Sequence, residues 1–160
     1  MSHNDSSAPG PLAALQFLLG DWEAISQPGE ATGGFSFTPA LLSHVIVRTN
    51  CAAYLATGER PAFRHEDLMV IYVDDGQNLC ADYYDSEGHV IRYEGRLEAP
   101  GEVAFVSAAT AVGPGFRLSY RQVAPGLLDG VFEVASPQQP GTYAPYLAWS
   151  VRKKAPSVEG

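Results

Sequence analysis

Hydrophobic and polar positions alternate along most of this chain, and the period changes once, at Gly20. Before it, Leu12, Leu15, Leu18 and Leu19 recur at helical spacing, with Pro11 in the first turn and Gly20 as the stop. This predicts one short helix over 11–19. After Gly20 the period is that of strands. Segments 22–26, 33–37, 41–54, 66–73, 79–85, 89–97, 103–109, 116–123, 127–135 and 143–152 are rich in β-branched and aromatic residues. Turn chemistry separates them, as in Asp74-Asp75-Gly76-Gln77-Asn78, Ser86-Glu87-Gly88, Pro100-Gly101 and Pro125-Gly126. About ten short antiparallel strands and one helix predict an all-β fold, a sandwich or a closed barrel. Closure has the advantage of removing exposed sheet edges.

The alternation also assigns faces. In the segment 65–73, His65, Asp67, Met69, Ile71 and Val73 share one side, and Glu66, Leu68, Val70 and Tyr72 the other. Both sides are apolar from Leu68 onward, which predicts a strand covered on both. Tyr83 and Tyr84 point to opposite faces, so one of them looks inward, and Asp85 shares the side of Tyr83. In the last segment Leu147, Trp149 and Val151 form a plain core face. Tyr146, Ala148 and Ser150 form a half-polar one, suited to solvent or to a cavity wall.

The 160 residues suit one domain, expected over 11–154 between polar tails at 1–10 and 155–160. The net charge of −8 argues against nucleic acid and anionic membranes, which call for clustered Lys and Arg. Neither a signal peptide nor a membrane-spanning run is visible, so a cytoplasmic location is expected. Cys51 and Cys80 lack CxxC spacing and read as buried free thiols.

Several stretches carry a family resemblance: "FLLGDWEAISQPGEATGGFSF" (17–37), "PAFRHEDLMVIY" (61–72), "LCADYYDSEGHV" (79–90), "LLDGVFEV" and "APYLAWSVRKK". In this order they resemble nitrobindin-like and lipocalin-like calycin barrels, over most of 12–153. The resemblance implies a ten-stranded antiparallel barrel led by a short helix and a Gly-x-Trp strand. Nitrobindins hold haem through the His of a Pro-His-Leu on the closing strand. Here the matching triplet is Pro145-Tyr146-Leu147, with Tyr146 at the ligand position. His65 matches a His on the distal side of that pocket. The departure at Tyr146 points to a haem-free branch, because a phenolate ligand needs a nearby cation to lower its pKa.

The candidate chemistry follows from these placements. His65 and Asp67 share a face and are candidates for an acid or base and its carboxylate partner. Side chains two apart on a strand do not ordinarily hydrogen-bond as a catalytic dyad. Tyr83 and Asp85 are candidates for holding a ligand's polar end. Arg48 and Arg92 interrupt apolar strands. A strand arginine ordinarily faces outward, whereas an inward one would select a carboxylate ligand by a bidentate pair. Which way each points is left open. Four scattered histidines argue against a zinc site, so no metal or other cofactor is expected. The expected function is binding of a small, mainly apolar molecule in the barrel by Tyr146, His65, Tyr83 and Asp85. The alternatives are acid–base isomerisation or cyclisation in the same cavity, ferric haem held by Tyr146, and a homodimer formed through the outer face.

Overall fold

The computed structural model describes residues 10–25, 32–107, 110 and 112–156. Of the expected tails at 1–10 and 155–160, residues 1–9, with His3 among them, and 157–160 lie outside the described residues. The predicted helix is a 3₁₀ helix, Pro11–Leu18. Its leucines explain the choice of period. Leu12, Leu15 and Leu18 are spaced three apart, so in a three-residue turn they line up on one side. Leu15 and Leu18 are fully buried, and Leu12 packs beside them.

Ten strands follow: β1 (Gly20–Ala24), β2 (Thr32–Ala40), β3 (Val45–Tyr54), β4 (Phe63–Val73), β5 (Leu79–Asp85), β6 (Val90–Ala99), β7 (Glu102–Ser107), β8 (Gly115–Ala124), β9 (Leu127–Ala135) and β10 (Ala144–Lys153). Each pairs antiparallel with the next, and β1 pairs with β10, which closes a barrel. The expected start of the third strand at 41 is corrected to Val45. Leu41, Leu42 and Ser43 instead have φ of 51°, 56° and 67°, a left-handed turn that a strand cannot contain.

The helix plugs one end. Trp22 Nε1 donates to the Leu18 carbonyl at 2.7 Å, which ties the helix to the first strand. Above this plug the interior is packed solid. Phe37, Met69, Ile71, Val103, Phe105, Tyr120 and Leu128 are each no more than 1 % exposed. Phe35 and Phe37 meet edge to face at 5.6 Å, and Phe37 meets Tyr120 likewise at 5.4 Å.

The other end differs. There Asn50, His65, Tyr83, Asp85, Ile91, Phe116, Phe132 and Trp149 face inward by strand alternation, yet each is only half-buried. The barrel is therefore filled in its helix half and accessible in its open half. The covering predicted on both sides of β4 is corrected. Its inner face is buried, but Leu68 on the outer face is 40 % exposed, because a barrel wall has one solvent side. Cys51 and Cys80 are free but half-buried, since both lie on outer faces.

Candidate functional site

The open end collects polar side chains from β3, β4, β5 and the turn between β5 and β6. Register brings them together. Asn50 is opposite Asp67, and Asp67 is opposite Asp85. Two facing carboxylates repel unless each is compensated, and each is. Asp67 accepts from Arg48 Nη1 at 2.5 Å and from Asn50 Nδ2 at 2.9 Å. Asp85 accepts the backbone N–H groups of Glu87 and His89 on Oδ1, at 3.0 and 2.9 Å. Its Oδ2 accepts from the Tyr83 hydroxyl at 3.2 Å and lies 2.9 Å from His89 Nδ1.

These bonds to Asp85 shape the turn. A carboxylate that accepts from the backbone two and four residues on holds a tight loop, and Gly88 supplies the left-handed residue it needs, with φ 88°. The turn swings Glu87 back over the mouth. There Glu87 Oε2 lies 2.9 Å from His65 Nδ1, while His65 Nε2 lies 3.1 Å from Asp67 Oδ2. The chain Arg48–Asp67–His65–Glu87 thus runs from the packed interior to the surface.

Electrostatics follow this geometry. Burial alone would lower the His65 pKa, but the hydrogen bonds to Glu87 and Asp67 outweigh it and raise the pKa above the ordinary value. A carboxylate beside each ring nitrogen favours the charged form, and both nitrogens are engaged within the cluster. The bond to His65 in turn holds Glu87 below the usual carboxylate range. Burial would raise Asp85, but the hydrogen bonds from His89 and Tyr83 pull it down. Burial, with Asp67 and Asp85 nearby, pushes the Tyr83 phenol up, so it stays a donor.

The sequence-derived candidates divide. His65, Asp67, Tyr83, Asp85 and Arg48 meet at this end. His65 and Asp67 do hydrogen-bond, contrary to expectation, with Nε2 3.1 Å from Oδ2. Arg48 points inward at 6 % exposure, lying 5.2 Å over the Phe35 ring, and its carboxylate is Asp67 of its own chain. Arg92 faces outward and is exposed. Tyr146 lies where the register of β10 slips between Pro145 and Leu147. It is 72 % exposed, with its ring edge-on to Phe132 at 6.2 Å. Iron bound there would lie at the solvent rim of the barrel.

Four contributors escaped the sequence reading. Asn50 shares the face of Arg48, two residues on, and alternation alone could have found it. Glu87 sits in a turn, where face assignments do not apply. Phe116 and Phe132, stacked at 5.6 Å, line the mouth as an apolar wall from β8 and β9.

There are two shallow concavities of about 530 and 510 Å³. The first runs across β2–β5, past Ser36, Thr49, Leu68 and Tyr84, and reaches Asn50, Asp67 and Asp85 of the mouth cluster. The second lies between the helix and the β6–β7 turn. Neither is lined by Ile91, Phe116, Phe132 or Trp149. Comparison with protein-family models and with curated proteins finds no match. Among the described residues no helix is long and apolar enough to cross a membrane.

Proposed function

We propose that this chain is a lipocalin-like binder of a small, mainly apolar molecule, held in the open half of the barrel. One observation carries the reading. Tyr83, Ile91, Phe116, Phe132 and Trp149 face inward but are only partly buried, whereas the inward side chains of the helix half are sealed. Apolar side chains that line a concave wall without filling it favour an apolar guest, with a few polar groups to orient it. The cluster around His65 and Asp85 supplies that polar end. The likeness of the sequence to calycin barrels supports the same assignment. His65, with both nitrogens engaged, is better suited to orienting a guest than to abstracting a proton from it.

The test is titration with a neutral naphthylamine fluorophore. Saturable one-to-one binding is expected, weakened at least tenfold by Phe132→Glu at the mouth and by Ile91→Trp, which fills it. Leu68→Glu on the outer face should leave binding unchanged. Absence of saturable binding, or equal binding by the mouth variants and the outer-face variant, would overturn the assignment.

A further inference from the structure

The mouth cluster brings the carboxylates of Asp67, Asp85 and Glu87 together with the guanidinium of Arg48 and the imidazoles of His65 and His89. Within the cluster, one donor atom each from His65, Asp85 and Glu87 lie within 4.8 Å of one another. Ligand atoms around a common ion at roughly 2.0–2.2 Å are spaced within that limit.

A second, independent feature concerns His65. Its Nε2 side is taken by Asp67, itself pinned by Arg48 and Asn50. With Nε2–H donated to that carboxylate, loss of the proton on Nδ1 would leave a lone pair facing Glu87, whose Oε2 lies 2.9 Å away. A carboxylate that orients a histidine in this way is the usual outer support of a metal-bound imidazole. Asp85 is supported likewise, by the Tyr83 hydroxyl and two backbone N–H groups. Glu87, with its side chain 45 % exposed, can swing onto an ion without disturbing the core.

We propose that His65 Nδ1, Asp85 and Glu87 bind one first-row divalent transition-metal ion at the open end of the barrel. The imidazole nitrogen favours Zn²⁺ or Co²⁺ over Mg²⁺ and Ca²⁺, which prefer oxygen donors alone. Binding releases the proton that His65 Nδ1 otherwise shares with Glu87. Three protein ligands leave coordination positions for water or for a donor atom of a guest. The site stands without the ligand-binding assignment, because it is built from the chain's own side chains.

The test is titration of the full chain with Co²⁺, followed by visible d–d absorption and calorimetry, with no fluorophore present. One equivalent is expected to bind. Glu87→Gln, whose exposed side chain carries little of the fold, should weaken it at least tenfold, as should His65→Gln. Affinity should be unchanged in His3→Ala, His44→Ala, Cys51→Ser and Cys80→Ser. No binding below millimolar Co²⁺, or affinity unaffected by both Glu87→Gln and His65→Gln, would overturn the site. Fluorophore binding that persists in those two variants would leave the apolar pocket intact while the metal site fails.

Discussion

Arg48 donates to Asp67 at 2.5 Å inside the barrel, with the two side chains 7 % and 4 % exposed. The contact is diagonal across β3 and β4, since Arg48 is itself opposite Met69. Buried ions are costly to desolvate, and losing one partner leaves the other uncompensated. Arg48→Met alone is expected to lower stability by about 3–5 kcal/mol. The double variant Arg48→Met/Asp67→Leu should lose clearly less than the two single losses together, because no isolated charge remains. A urea double-mutant cycle measures the coupling, and additive losses would count against a buried pair.

His65 gives stability a defined pH dependence. Its folded pKa is raised, so between the unfolded value near 6.5 and the folded value the native state holds more protons than the unfolded chain. Stability from this group is complete below the unfolded pKa and is lost as pH rises through the folded one. In chelator-treated protein, the advantage of wild type over His65→Gln should shrink as pH is raised from 6 toward alkaline values. Glu87→Gln should reduce the same slope. Urea midpoints at several pH values test this, and a difference that grows with pH would contradict it.

Gly130 is where Trp149 lies flat against the backbone of β9. A Cβ added there would sit 2.2 Å from Trp149 Cε2. Among the described residues, Trp149 Nε1 is buried without a hydrogen-bond partner, so packing holds the ring. Gly130→Ala is expected to cost about 1–3 kcal/mol, as overpacking usually does. It should also move Trp149 toward the mouth, seen as a red shift in fluorescence. An unshifted spectrum at unchanged stability would show that the ring has room to yield.

Tyr146 tests the haem alternative. An exposed bulge side chain contributes little to the fold, so Tyr146→Ala should change stability by no more than about 0.5 kcal/mol. Protein mixed with ferric haem should show no Soret band that depends on Tyr146. A band lost in Tyr146→Phe would instead establish the phenolate as the iron ligand.

Period-2 alternation broken by Gly, Pro, Asp and Asn determined the strand pattern, because those residues act locally on the backbone. The bounds of β5 and β9, Leu79–Asp85 and Leu127–Ala135, were legible from this alone. So was the sharing of one face by His65, Asp67 and Met69. What local pattern cannot carry is register and closure. Register placed Asp67 beside Arg48 and turned that arginine inward, because an inward carboxylate on the neighbouring strand offsets the desolvation of an inward cation. It also set Asp67 against Asp85, which drew His65, Tyr83 and His89 into compensating contacts. Pro145 has no N–H to give to the ladder, and the slip beside it put Tyr146 at the rim rather than in the wall. The sequence by itself settled how many strands there are and which residues travel together. Only tertiary structure decided which face is inside and which charges meet, because those depend on neighbours far apart in the chain.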